Sequence, residues 1–273
     1  MDLRCKYSPK LGVAITGATG FIGSRLVDVF GAGDFEATAF ENIGTGAVVV
    51  HLAADVSPTR EAMLANIAAD TYLLEIVNQK HKGLVYASSN NVYPYALDCR
   101  INEFTRCNDY YSVSKILCEK LVSEWAKVPS VSVRIADVFG VGQRHGNFFK
   151  AIEQSVRMGK PLKQYGQGLK RRTYIHVQEL CEMLKFIALS HLPHAQPGLV
   201  FNLGYEDSAS IAEILGMVSS MTSLEVIKNS LEGDRSWFDV RTMQTSILHP
   251  YVPRWGSFCE ALTAYVDQIK SEK

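Results

Sequence analysis

The sequence predicts an α/β fold: a doubly wound parallel sheet with a smaller α/β lobe after it. Three observations predict this. Short β-rich apolar runs alternate with helical stretches through the first half, a glycine-rich turn joins the first run to the first helix, and the texture changes after residue 140. Strands separated by helices pair in parallel, because the intervening helix carries the chain back to the sheet's starting edge. Beyond residue 140, Gly140, Gly142, Gly146, Gly159, Gly166 and Gly168 cut the chain into shorter segments. The expected division is 1–140, with about 172–204 packing back on it, and a second lobe mainly over 141–273.

The elements follow in order. Leu11–Thr16 (LGVAIT) is a continuous apolar run of strand length, and Phe21–Phe30 is its following helix. Phe35–Glu41 (FEATAFE) is strand-like, and Ala47–Leu52 (AVVVHL) is a buried strand rich in β-branched residues. Thr59–Gln79 is a long helix, followed by strand Leu84–Ser88, helix Tyr110–Ala126 and strand Val131–Ile135. One spacing departs from regular winding. Each strand–helix–strand unit needs about 30 residues, yet Gly17 and His51 are only 34 positions apart. Glu41 to Ala47 is shorter than the ~10 residues of a helical crossover, although extended it spans about 24 Å. The third strand and its crossover are therefore expected to be missing.

The 273 residues correspond to roughly 1.8 average domains. Apolar residues at 47% and charged residues at 21% describe an ordinary globular chain. Lys+Arg 28 balance Asp+Glu 28, which excludes a generally basic nucleic-acid binder. No run approaches the ~20 apolar residues of a membrane span and no secretory leader opens the chain, so a cytoplasmic protein is expected. Six cysteines form no CxxC pair, so neither a disulfide framework nor a metal site is expected. Charge is nevertheless uneven. Between Gln154 and Gln178 there is no acidic residue, while Arg157, Lys160, Lys163, Lys170, Arg171 and Arg172 are all basic.

Two motifs carry chemistry. In Thr16-Gly17-Ala18-Thr19-Gly20-Phe21-Ile22-Gly23, Gly17 permits the tight turn, Gly20 admits a pyrophosphate and Gly23 lets helix and sheet approach closely. The helix start, at Phe21 and Ile22, offers N–H groups to phosphate. Glu41, 24 positions after Gly17, is placed to accept hydrogen bonds from adenosine ribose hydroxyls, favouring NAD over NADP. In the second motif, Tyr111 and Lys115 lie one turn apart on one helical face. By itself such a pair is a common coincidence. Here the preceding strand ends in Ala87-Ser88-Ser89-Asn90-Asn91-Val92-Tyr93 and delivers hydroxyls to the carboxyl edge of the sheet, where α/β ligands bind.

Together TGATGFIG, His51-Leu52-Ala53-Ala54, ASSNNVY and Tyr111xxxLys115 resemble the extended short-chain dehydrogenase/reductases, specifically their sugar-nucleotide epimerase/dehydratase group. The resemblance continues through Arg134–Gly140, Gly166-Gln-Gly168, Arg172–Val177 and Phe201–Gly204, and more loosely Arg235 to Asp239. It implies a Rossmann sheet, an NAD cofactor and a nucleotide-diphosphate sugar substrate. It makes Tyr111 the general acid/base, Lys115 the ligand of the nicotinamide ribose and Ser89 the partner of the reacting sugar oxygen. A tyrosine of pKa ~10 must fall by about 3 units to act near neutrality, and a cation ~4 Å away at an effective dielectric of ~20 supplies about 4 kcal/mol. The resemblance also puts Leu52, Ala53, Ala54, Asn66 and Ser88 against the cofactor and Asn147, Arg172 and Arg235 on the diphosphate. It implies a homodimer through the helix carrying Tyr111 and Lys115 and the long helix before it; Ile116, Leu117, Leu121 and Val122 either serve that bundle or belong to the core.

Several positions depart from that pattern. Asn90-Asn91 replaces the Asp-Glu pair of the 4,6-dehydratases, and amides do not transfer protons as general acids or bases near neutral pH. The expectation is therefore oxidoreduction at C4, by an epimerase or a 4-ketoreductase. Asp137 stands where the family has Asn, and Thr173 where it has an acid; an extra carboxylate near a diphosphate repels unless it is paired. Two alternatives are a non-catalytic dinucleotide-binding or sensing protein on the same fold, motivated by the shortened cofactor half, and a reductase of a non-sugar carbonyl.

Overall fold

The computed structural model describes residues 4–103, 105–143, 148–234, 239–245 and 256–272. In chain order the elements begin β1 (Arg4–Ser8), β2 (Val13–Thr16), α1 (Phe21–Phe30), β3 (Glu36–Ala39), β4 (Val48–His51) and α2 (Arg60–Lys80). Next come β5 (Gly83–Ser89), α3 (Tyr110–Trp125), β6 (Ser130–Ile135), β7 (Asp137–Phe139), α4 (Phe148–Met158) and β8 (Leu162–Tyr165). The remainder are β9 (Arg171–His176), α5 (Val177–Phe186), β10 (Leu199–Leu203), β11 (Ser208–Ser210), α6 (Ile211–Thr222), β12 (Val226–Asn229), β13 (Val240–Arg241) and α7 (Phe258–Ser271). They divide into two compact units. The first holds Met1–Pro94, Ile101–Ile135 and Gln178–Leu203; the second holds Tyr95–Arg100, Ala136–Val177 and Gly204–Lys273.

The first unit is an α/β fold on a mostly parallel sheet in the order β10-β6-β5-β4-β2-β1-β3. β2, β4, β5, β6 and β10 are parallel neighbours, and their β-branched and leucine side chains (Val13, Ile15, Val49, Val50, Leu84, Val133) are buried. Each such side chain contributes about 1.5–3 kcal/mol when removed from water. One face packs on α2 and α3 through Leu73, Leu74, Val77, Cys118 and Val122. α1 and α5 lie together, with Lys185 Nζ donating to the Val29 carbonyl at 2.8 Å. α2 starts where the Thr59 hydroxyl accepts from the Ala62 N–H at 3.2 Å. α3 starts with a capping box between Asp109 and Ser112, a device contributing about 1 kcal/mol.

Among the described residues no strand or α-helix lies between β3 and β4; the chain makes only the helical turn Phe40–Asn42. The sheet position this leaves is filled in a way the sequence reading did not foresee. β1 lies between β2 and β3, antiparallel to both, with Cys5 opposite Thr16 and Arg4 opposite Ala39. β3 is therefore the outermost strand, two places from β2.

The second unit holds a sheet in the order β11-β9-β13, with β7 also pairing β9, and the parallel pair β8–β12. Its core is aromatic. Phe139 stacks on Phe149 at 4.6 Å between ring centroids, Tyr174 on Phe258 at 4.9 Å, and α4, α6 and α7 close over them through Ile152, Leu215 and Val266. Among the described residues no helix is long and apolar enough to cross a membrane. Nor could any group of three His, Cys, Asp or Glu side chains among them hold a metal ion.

Candidate active site

The glycine turn sits at the carboxyl end of β2. Gly17 has φ +65°, and a Cβ there would stand 2.8 Å from the Ala53 nitrogen. A Cβ on Gly23 would stand 2.1 Å from the Gly17 carbonyl oxygen, so helix and turn touch backbone to backbone. The Gly20 N–H donates to the Gly17 carbonyl at 2.9 Å. α1 begins at Phe21 and Ile22 without a side-chain cap, which leaves its first N–H groups and partial positive charge for an anion. The neighbouring strand end is tied to this turn, since the Leu52 and Ala53 N–H groups both donate to Thr16 Oγ1 at 3.3 Å. After Ala54 the chain is held by Asn66, whose amide accepts from the Asp55 N–H at 2.9 Å and donates to the Asp55 carbonyl at 2.8 Å. This cradle, shaped by residues that a Cβ would fill, fits a dinucleotide pyrophosphate.

Tyr111 and Lys115 stand on α3 beside the end of β5. Lys115 is buried, and its Nζ donates to the Ala87 carbonyl at 2.9 Å and to the Tyr86 hydroxyl at 3.3 Å. The same ammonium lies 5.8 Å from the centroid of the Tyr111 ring. Tyr86 in turn donates to Asp70 Oδ2 at 2.7 Å, while Asp70 Oδ1 meets His51 Nε2 at 2.8 Å and His51 Nδ1 meets Thr16 Oγ1 at 2.7 Å. A hydrogen-bonded chain thus runs inside the unit from the foot of the glycine turn to Lys115. Burial pulls the Asp70 carboxyl upward, but the charge and hydrogen bond of His51, with Lys115 beyond, outweigh it and hold it at about 2. Burial, then the charge of Asp70, pushes the Tyr86 phenol well above its ordinary value. Tyr86 is therefore a neutral bridge between a buried carboxylate and a buried ammonium.

Ser88 and Ser89 play different parts. The Ser88 hydroxyl donates to Glu119, whose carboxylate is held by Arg134 at 2.7 Å; its side chain is committed to a buried ion pair. The Ser89 hydroxyl accepts from the Asn91 N–H at 3.1 Å. Asn108, just before α3, donates to the carbonyls of Asn91 and Tyr93, each at 2.8 Å, and so fastens the loop after Ser89 to the start of the helix carrying Tyr111.

Two expectations meet a different geometry. Glu41 does not end a strand beside the glycine turn. It lies in the turn after β3, which β1 separates from β2, and it accepts from the Tyr72 hydroxyl of α2 at 3.0 Å. Arg172, expected on a diphosphate, is buried in the second unit and held by its own neighbours. Its guanidinium pairs with Asp239, donates to the Arg171 carbonyl at 2.9 Å and lies 3.8 Å from Asp137. The carboxylate of Asp137, expected to repel a diphosphate unless paired, has this partner. Asn147 and Arg235 lie outside the described residues. Sequence reasoning missed Asp70 and Tyr86, for which the only signal was a carboxylate at helical spacing from Asn66. It also missed Arg241, which lies opposite Arg172 in the β13–β9 pair and over the Tyr95 ring at 4.7 Å.

The cradle, the Tyr111–Lys115 helix and the parallel sheet define a dinucleotide-type α/β protein. The chain belongs to the NAD dependent epimerase/dehydratase family, which matches residues 38–204. It is 24% identical over 264 residues to UDP-glucuronic acid decarboxylase 1 of Arabidopsis thaliana, covering 78% of this chain and 58% of that one. The chain spans about half the length of the first curated relatives it matches. Among solved structures it resembles UDP-N-acetylglucosamine 4-epimerase from Methanobrevibacter ruminantium M1 in complex with UDP-N-acetylmuramic acid, with TM-score 0.74 and 20% identity, over 96% of this chain and 98% of that one. It also resembles the UDP-glucose 4-epimerase of Thermus thermophilus in complex with NAD, with TM-score 0.73 and 22% identity, over 96% and 99%.

Proposed function

We propose that the protein carries out NAD(P)-dependent oxidoreduction at C4 of a nucleotide-diphosphate sugar, as an epimerase or a 4-ketoreductase. The observation that carries this reading is the placement of Tyr111 over a buried, doubly anchored Lys115 at the end of β5. The ammonium stabilises negative charge on the phenolic oxygen, so Tyr111 takes the proton of a sugar hydroxyl and later returns it. Ser89 holds the same sugar oxygen. The nicotinamide supplies the hydride acceptor. Gly17 and Gly23 shape the turn and Gly20 admits the pyrophosphate to the N–H groups at the helix start, Phe21 and Ile22, with Leu52, Ala53, Ala54, Asn66 and the Ser88 backbone along the cofactor's length.

Asn90 and Asn91 offer no proton-transferring carboxyl for water elimination, which argues against 4,6-dehydration. A ketone at C4 is the common intermediate for epimerisation and, in a uronic acid, for loss of carbon dioxide from the resulting β-keto acid. C4 oxidation is therefore the step to test first. Purified protein is incubated with UDP-, dTDP- and GDP-sugars, including glucuronate and 4-keto forms, while epimers, carbon dioxide and reduced nicotinamide are followed. Turnover of one of these is expected; cofactor binding without turnover of any would refute the enzymatic reading and favour a dinucleotide sensor. Arg172, Asn147 and Arg235 are the proposed diphosphate ligands, Arg172 by exchanging its Asp239 partner. Charge reversal at Arg172 that leaves nucleotide affinity unchanged would remove that assignment. The same reading expects a homodimer in the cytoplasm, through α2 and α3, where Leu64 and Leu117 are exposed; light scattering checks the dimer.

A further inference from the structure

We infer that Asp70 is a positioning residue: through the Tyr86 hydroxyl it fixes the Lys115 ammonium that meets the nicotinamide ribose. The inference rests on the dinucleotide reading above and deepens it. All three residues lie within the first unit. Lys115 is buried, and an ammonium without a countercharge is costly to bury. Yet the buried carboxylates of the unit, Asp70 and Glu119, pair directly with His51 and Arg134 instead.

The countercharge reaches Lys115 through a phenol. Lys115 Nζ stands 3.3 Å from the Tyr86 oxygen, and Asp70 Oδ2 stands 2.7 Å from the same oxygen. An ammonium only donates and a carboxylate only accepts. Tyr86 therefore has one orientation: its single proton goes to Asp70 and its lone pairs face Lys115. The Asp70 carboxyl, held at about 2, keeps that acceptor role at any working pH. Its charge also polarises the phenol and makes the oxygen a stronger acceptor. Asp70 is pinned in turn, because His51 Nε2 holds its other oxygen at 2.8 Å. Two of the three ammonium N–H groups are thus spent, on Tyr86 and on the Ala87 carbonyl at 2.9 Å. Two fixed bonds set the direction of the third, which is left for the ribose. Without Asp70 the Tyr86 hydroxyl is free to turn, and Lys115 pivots about one bond.

Isothermal titration of the full chain with NAD⁺, ADP-ribose and ADP tests this without any turnover. NAD⁺ and ADP-ribose carry the second ribose. ADP ends at the pyrophosphate, so its affinity reports an intact glycine cradle in each variant. Tyr86→Phe keeps the ring, whose centroid lies 4.7 Å from Lys115 Nζ, and removes only the hydroxyl. Asp70→Asn keeps an acceptor and removes the charge. Each should weaken NAD⁺ and ADP-ribose about tenfold, as expected for a hydrogen bond to a charged group, and ADP less than about twofold. Lys115→Met should show the same pattern, and adding Tyr86→Phe to it should weaken NAD⁺ no further, since both act on one contact. Equal weakening of all three ligands, unchanged NAD⁺ affinity in both single variants, or a further loss in the double variant would overturn the inference while leaving the dinucleotide reading standing. Binding of none of the three to the wild type would overturn both.

Discussion

Replacing Gly23 by alanine tests the contact on which the cofactor cradle is built. The added Cβ would lie 2.1 Å from the Gly17 carbonyl oxygen and 2.8 Å from Ala18 Cα. The first distance is more than an ångström inside the ~3.5 Å at which non-bonded heavy atoms ordinarily meet. Both opposing atoms are backbone, so no rotamer change relieves the overlap; either α1 moves or the turn opens. Overpacking of this kind costs about 1–3 kcal/mol. For a chain of this size each kcal/mol lowers the melting temperature by roughly 2–4 °C, so Gly23→Ala should melt about 2–12 °C below wild type. The displaced turn should also bind NAD⁺ or NADP⁺ at least tenfold more weakly by titration calorimetry. Gly33→Ala is the control, because a Cβ there meets nothing within 4 Å; it should melt within a degree or two of wild type. A Gly23→Ala protein with wild-type melting and wild-type dinucleotide affinity would show that helix and turn are not in contact as described.

Acid titration should reveal Asp70. Its folded pKa of about 2 lies below the ~3.9 of an unfolded carboxyl, so the stabilisation is present above pH ~4 and fades between about 4 and 2, roughly 2 kcal/mol in all. Asp70→Asn should flatten that limb in denaturant titrations at stepped pH. Tyr86→Phe removes the hydroxyl shared by Asp70 and Lys115 and should cost about 1–3 kcal/mol in urea unfolding. Tyr111→Phe should lower turnover by two to four orders of magnitude with dinucleotide affinity unchanged, read by kinetics and calorimetry on one preparation. Gly216→Ala, within α6 and with open space at its Cβ, should raise the melting temperature through about 0.5–1 kcal/mol of helix propensity.

The elements legible in the sequence are those whose cues are local. Apolar runs announced β2, β4, β5 and β6, the glycine spacing announced the start of α1, and the shortness of Glu41 to Ala47 announced the absent crossover. β1 was illegible for a physical reason. Arg4–Ser8 is short and mixes charged with apolar residues, and its place in the sheet comes from antiparallel pairing with both β2 and β3, which no local pattern announces. Glu41 was misplaced by the same insertion, since counting residues from a glycine turn assumes that consecutive strands are neighbours. The buried relay was illegible because Asp70, Tyr86 and Lys115 come from α2, β5 and α3 and meet only after packing. Arg172 looked available in an acid-free stretch, yet the carboxylates of Asp137 and Asp239, distant in sequence, reach it in the folded unit.

Asn108 has a dynamic consequence. Its single amide bridges two carbonyls of the loop after Ser89, while its own N–H is held by Ser112 within the first turn of α3 at 2.8 Å. Fraying of that turn therefore releases the loop, and swinging of the loop unseats the turn. The serine and tyrosine ends of the site form one cooperative opening unit, so their amide protons should exchange with deuterium at a common rate.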